Sequence, residues 1–190
     1  MPTNVIESNS DRNLCPAARE QKNCDVACVH VLRKTALFAG LADEQLRLVA
    51  PPCRHLPVTK GTVLFGKGGE AKEMYVVLSG EVCLEDEICI DERLPARTIV
   101  VEKVGGNGVL GLCALNRPYR WLYSARCTKD ADLVVVQSDD LKRLIRANAN
   151  IGLTVLENAF SVSFERLMSR HQRALAELGL AALYDVNRNY

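Results

Sequence analysis

Between Gly61 and Val82 the chain sets two short apolar runs, Val63–Phe65 and Met74–Leu78, among five glycines. Glycine is the residue that takes a positive φ without steric cost, so Gly61, Gly66, Gly68, Gly69 and Gly80 mark turns. The Ser79-Gly80 reversal leads into a third run, Glu81 to Leu84. Short β-rich runs separated by such turns predict a rolled antiparallel sheet, a shape that can enclose a small ligand.

The rest of the chain frames that roll. Residues 1–25 are expected to form a flexible segment containing cysteines. Helical spacing then runs through Val29, Leu32, Leu37 and Phe38, and a second short helix starts near Asp43 with Leu46, Leu48 and Val49 inward. Pro51-Pro52 stops it. From Cys53 to Gln137 the pattern is mostly strands: Val63–Phe65, Met74–Leu78, Val82–Leu84, Thr98–Val104, Leu122–Cys127 and Leu133–Gln137. The acidic piece Glu85-Asp86-Glu87 and the loop Asp91–Arg93 are assigned to hairpin tips. Residues 26–138 thus hold the roll and its lead-in helices, 139–180 a hinge helix and a long helix, and 181–190 a tail.

Ser138-Asp139-Asp140 is a helix start, and Asn148-Ala149-Asn150 is the expected break. Beyond it Leu153, Leu156, Phe160, Phe164, Leu167, Met168, His171, Leu175 and Leu178 recur at steps of three and four. A helix of roughly 28 residues would extend about 42 Å, longer than the roll it covers. That length predicts a partner helix, and hence a homodimer, for part of the stripe.

Composition narrows the function classes. A net charge of +1 gives no reason for nucleic-acid or anionic-membrane binding. No apolar run approaches the ~20 residues of a spanning helix, and the polar amino terminus lacks a secretory core, so a cytoplasmic protein is expected. Eight cysteines (Cys15, Cys24, Cys28, Cys53, Cys83, Cys89, Cys113 and Cys127) are read as reduced thiols, with Cys83 and Cys89 alternating with apolar neighbours as buried residues do.

The stretches Leu32 to Leu41, Gly61 to Phe65, Gly68, Tyr75 to Gly80 and Gly108 to Leu112, in this order, are a specific combination. They resemble the cyclic nucleotide-binding domain, most closely the sensor half of catabolite-activator and fumarate-nitrate-regulator type proteins. The resemblance covers about residues 29–178, with Leu141 to Leu178 similar to the hinge and dimerisation helices. It implies an α+β, mainly β fold: a jelly-roll-like β-roll of about eight antiparallel strands with amino-terminal helices and a long carboxy-terminal helix. The dozen residues after Leu178 leave no room for the helix-turn-helix half of those relatives, so direct nucleic-acid contact is not expected.

A cyclic nucleotide needs backbone N–H donors and a cation for its phosphate, and a carboxylate for its ribose. The stretch Gly105 to Gly111, leading into a helical turn at Leu112–Leu115, offers the donors. The resemblance implies a ribose-binding glutamate after Gly108, where this chain has Val109. It implies a phosphate-binding arginine at a position that falls on Trp121, with Arg120 adjacent and Arg117 and Arg126 near. Each lost charge-assisted contact removes about 1.5–3 kcal/mol. Cyclic AMP or cyclic GMP is therefore disfavoured against a less polar effector or none. The expected ligand contacts are Gly108, Val109, Leu110, Gly111, Leu112, Arg120 and Trp121.

Two rival readings compete, one from the same glycines and one from the cysteines. Gly106-x-Gly108-x-x-Gly111 spells a dinucleotide fingerprint, but Pro118 follows within seven residues, where a long helix is required. Cys15, Cys24 and Cys28 lie where fumarate-nitrate-regulator relatives carry iron–sulfur ligands, and Cys127 or Cys113 would supply a fourth thiolate to a cluster or zinc. His30 could join Cys24 and Cys28 as a ligand but is expected on a solvated helix face, and His55 and His171 have no evident partner. No catalytic motif appears, so a non-catalytic regulatory domain acting on a homodimer or a protein partner is the reading taken forward.

Overall fold

The computed structural model describes residues 25–51, 53–89 and 95–188. The expectations for residues 1–24, Cys15 and Cys24 included, and for the loop Asp91–Arg93 lie outside the described residues. Two helices lead in, α1 (Asp25–Arg33) and α2 (Asp43–Val49), with a 3₁₀ turn at Ala36–Phe38 between them. Asp43 and Glu44 stand in the first turn of α2, where negative charge favours the helix dipole. Leu32, Leu37, Phe38, Leu46 and Val49 are fully buried, as their spacing requires, whereas Leu48 faces out.

Eight strands follow among the described residues: β1 (Cys53–Val58), β2 (Val63–Phe65), β3 (Glu73–Ser79), β4 (Val82–Ile88), β5 (Arg97–Val104), β6 (Val109–Leu110), β7 (Ser124–Cys127) and β8 (Ala131–Gln137). They make two four-stranded antiparallel sheets, ordered β1-β8-β3-β6 and β2-β7-β4-β5, the β-roll the turn pattern predicted. In the first sheet Met74 pairs with Val136 and Val77 with Leu133. Both runs are covered on both faces, which is why they read as continuous rather than alternating apolar sequence.

Several local features differ from the sequence reading. Cys53–Val58 forms a full strand despite Pro57, because β1 is a sheet edge where a missing N–H is tolerated. Glu85-Asp86-Glu87 is not a hairpin tip: it lies in β4, paired with Val100, Ile99 and Thr98 of β5. Cations from neighbouring segments permit this, with Arg126 Nε 3.1 Å from Glu85 and Lys67 Nζ 2.6 Å from Asp86. Cys83 is buried, but Cys89 at the end of that ribbon is exposed. The strand expected from Leu122 starts at Ser124, and Leu122 itself is 64% exposed.

The chain leaves β8 into α3 (Ser138–Ala147), whose first turn carries Asp139 and Asp140 and whose last turn carries Arg146. Asn148 then takes an extended conformation and breaks the helix at the place expected. The following helix α4 (Ala149–Arg188) is 40 residues long, running ten residues past Leu178 and spanning about 60 Å. Gly152 sets its angle: a Cβ there would lie 2.7 Å from the Ile145 carbonyl oxygen, so only glycine lets α4 start so close to α3. One turn and a half further, Asn158 Nδ2 donates to the carbonyls of Leu37 (3.1 Å) and Ala39 (2.8 Å), tying α4 to the lead-in turn. Ile151 and Val155 are buried beneath this start, whereas Leu153, Leu156, Phe160, Phe164, Leu167, Leu175 and Leu178 are exposed on the opposite side. Within the described residues, no helix is long and apolar enough to cross a membrane.

Candidate functional site

The glycine-rich stretch is a hinge between two sheets. Asn107 and Gly108 bracket Val77, with Asn107 N–H donating to the Val77 carbonyl at 2.7 Å and Val77 N–H donating to the Gly108 carbonyl at 2.9 Å. Val109 and Leu110 then pair with Val76 and Tyr75 and bury their side chains. The helical turn opens one step later, at Gly111, in the left-handed region (φ 81°), and Leu112–Leu115 form a single 3₁₀ turn as expected. Glycine is required at 111 twice over. A Cβ would meet the Glu73 carbonyl oxygen at 2.8 Å and Cζ3 of Trp121 at 3.0 Å, and the conformation itself is costly for any other residue. No long helix follows, so the dinucleotide fingerprint has no structural counterpart.

On the facing side, residues 119–121 pair with the loop at 68–71. Trp121 N–H donates to the Gly69 carbonyl at 2.9 Å, and its own carbonyl accepts from Gly68 N–H at 2.8 Å. In an extended segment neighbouring side chains point to opposite faces. Arg120 accordingly lies outside, exposed, with Nη1 donating to the Gly68 carbonyl at 2.7 Å. Trp121 points in. Its ring stacks on Phe65 at 3.9 Å and 15°, and Tyr75 completes the cluster 5.7 Å from Phe65. The structure therefore brings Gly111, Leu112 and Trp121 together and leaves the Arg120 guanidinium on the other face.

Behind this cluster the Glu73 carboxylate accepts three side-chain hydrogen bonds. Its Oε1 accepts from Arg54 (3.0 Å) and Gln137 (2.7 Å), and its Oε2 from the Tyr75 hydroxyl (2.7 Å). Burial pushes its pKa up, but hydrogen bonds from Tyr75, Arg54 and Gln137 and the charge of Arg54 outweigh it, so Glu73 sits below its ordinary value.

A second polar group, missed in the sequence, joins α4 to the roll. Glu102 of β5 holds Arg166 Nε at 2.9 Å and Arg170 Nη2 at 2.8 Å, one on each carboxylate oxygen. Arg166 Nη2 donates to the Val109 carbonyl at 2.6 Å, and Arg170 Nη1 to the Tyr123 hydroxyl at 3.0 Å. The signal was present as two arginines four apart, off the apolar stripe, but their partner is more than sixty residues away.

Only part of the expected thiol set falls among the described residues. Cys15, Cys24 and the Cys28 side chain lie outside the described residues. Cys127 is fully buried in the core, and burial pushes the Cys113 thiol above its ordinary value. Among the described residues no group of three or more His, Cys, Asp or Glu gathers to hold a metal. His55 does have a partner, Asp132, 3.4 Å from Nε2. His30 and His171 are exposed.

Residues 55–148 match the family model of the cyclic nucleotide-binding domain. No curated protein matches the chain in sequence. Among solved structures, a cyclic nucleotide-binding domain from Methylobacillus flagellatus superposes with a TM-score of 0.70 at 18% identity, over 82% of this chain and 86% of its own. The catabolite activator protein of Thermus thermophilus gives 0.59 at 24%, over 78% and 63%. The sensor domain of the transcriptional regulator DNR from Pseudomonas aeruginosa gives 0.56 at 17%, over 70% and 91%. At these identities the likeness establishes the fold.

Proposed function

The chain carries a cyclic nucleotide-binding domain over residues 55–148, and from that premise we propose a non-catalytic regulatory module that senses a small effector and reports through α4. The observation that carries the reading is the position of Trp121. Its indole stacks on Phe65 and lies against Gly111, in the space beside the opening of the helical turn, while Arg120 faces solvent. A phosphate at that turn would find an aromatic edge where it needs a cation.

The ribose side is equally apolar. Whether the glycine of the family motif is Gly108 or Gly111, the next residue is Val109 or Leu112, and neither can accept from a hydroxyl. The effector is therefore not held as a cyclic nucleotide is held in this domain class. In this reading Gly111, Leu112 and the edge of Trp121 form the apolar side of the effector's place, and the cation that reaches the turn is Arg166 of α4, on the Val109 carbonyl.

Signal transfer follows from connectivity. The turn shares its Val109 carbonyl with Arg166, and Trp121 lies two residues from Tyr123, which accepts from Arg170. An effector that shifts the turn biases where α4 rests. The exposed stripe on the far side of α4 belongs, in this reading, to a homodimer seam: Phe160, Phe164, Leu167 and Leu178 are each at least half exposed on one helix face. Calorimetry with cyclic AMP and cyclic GMP tests the effector reading. No saturable heat below about millimolar nucleotide supports it, with the lost anchors worth about 1.5–3 kcal/mol each. Micromolar binding would make the effector an ordinary nucleotide.

A further inference from the structure

Beyond Asn158, the described hydrogen bonds and ion pairs between α4 and the roll all pass through Arg166 and Arg170. They converge on one carboxylate. The two guanidiniums, one helical turn apart, each take a separate oxygen of Glu102, at 2.9 and 2.8 Å, and the Tyr123 hydroxyl and Val109 carbonyl take one further N–H each. The Arg170 guanidinium also lies 5.0 Å from the centre of the Tyr123 ring. Exposure of these side chains is low: 21% for Arg166, 29% for Arg170 and 19% for Glu102.

The charges in this seam do not cancel. Two cations face one anion, and burial with the neighbouring Arg170 charge pushes the Arg166 guanidinium below its ordinary value against the pull of Glu102. Half-buried excess charge favours a second anion or a better one. Two guanidiniums that each give an N–H to a separate oxygen of one group can serve a phosphate as they serve a carboxylate.

We propose that Arg166, Arg170 and Tyr123 form an oxyanion seat that Glu102 occupies as an internal ligand, and that an effector bearing a phosphate or carboxylate takes its place. The proposal rests on the sensor reading above and gives that effector its chemical class. Displacing Glu102 frees edge strand β5 from α4 and transfers the hold on α4 to the effector, so occupancy and helix position are one equilibrium. Glu102 is tethered, so an external oxyanion competes against a high effective concentration and binds the intact chain weakly.

The test uses the full chain and inorganic phosphate, titrated by calorimetry at constant ionic strength, with cyclic AMP as a separate arm. Glu102→Gln removes the competing internal charge, and the expected result is phosphate binding roughly tenfold tighter than in the unmodified chain, in line with the loss of charge assistance in its two arginine pairs. The double variant Arg166→Gln/Arg170→Gln is expected to bind no phosphate. Equal phosphate affinity in the unmodified chain and Glu102→Gln, or none in either, overturns the seat. Hydrogen exchange on the unmodified chain guards against misfolded variants: phosphate should speed exchange in β5 around Glu102 relative to chloride, and unchanged exchange overturns the proposal as well. Cyclic AMP distinguishes the sources of the oxyanion and judges the effector reading separately. Tight nucleotide binding indifferent to both arginines sinks that reading and the seat together, whereas arginine-dependent phosphate binding without nucleotide binding leaves both standing.

Discussion

The Trp121 and Phe65 rings lie 3.9 Å apart and 15° from parallel, and Gly111 opens the helical turn directly against the indole. The aromatic stack thus fills the space beside the turn from within. Trp121 is 7% exposed, so truncating it removes both the stack and a large buried volume. Trp121→Ala is expected to lower unfolding free energy by about 3–5 kcal/mol, read from urea denaturation. A loss below about 1 kcal/mol would mean that the ring is peripheral to the core.

Gly111→Ala tests the same contact from the other side. The added methyl meets backbone at Glu73 and the indole edge, in a left-handed conformation. The expected loss is about 1–3 kcal/mol, with near-ultraviolet circular dichroism reporting a displaced Trp121. An unperturbed spectrum and unchanged stability would contradict the packing.

Asn158 fixes the start of α4 to the lead-in turn through two carbonyls. Asn158→Ala leaves the Leu37 and Ala39 carbonyls without that donor and should cost about 1–2 kcal/mol. Hydrogen exchange would show faster opening at Leu37–Ala39 than in the unmodified chain. Identical exchange there would remove Asn158 as the tie.

Acid stability should depend on Glu73. Its folded pKa lies below the unfolded value because hydrogen bonds and Arg54 outweigh burial, so its contribution is present above roughly pH 4.3, the ordinary glutamate value. It is lost as pH falls through the depressed folded value. Denaturant unfolding between pH 6 and pH 3 should therefore show a decline that is shallower in Glu73→Gln, and parallel curves would contradict the assignment.

Dimerisation through α4 is checked by sedimentation equilibrium. Leu167 and Phe160 are exposed in the single chain, and burying a charge between two copies is costly. Leu167→Glu should convert a dimer to a monomer with the helix content unchanged. A monomeric unmodified chain would remove the seam.

Much of this was legible because it is local. The reversal at Ser79-Gly80, the buried runs of β3 and β8, the break at Asn148 and the apolar stripe of α4 each follow from a few adjacent residues. What was not legible depends on distant partners. Glu85 and Asp86 read as a solvated tip because nothing nearby in sequence announces Arg126 and Lys67. At the site, the residue types at 109 and 121 already pointed away from the usual nucleotide anchors. The inward turn of Trp121, the outward turn of Arg120 and the Glu102–Arg166–Arg170 group required the folded chain.

The central claim is that this domain keeps the sensor fold without the roll's own polar grip on a cyclic nucleotide. Isothermal titration of the intact chain with cyclic AMP tests it most directly. The account predicts no saturable binding below about millimolar nucleotide, given the charge-assisted contacts that are missing. Stoichiometric binding with a micromolar dissociation constant would contradict it.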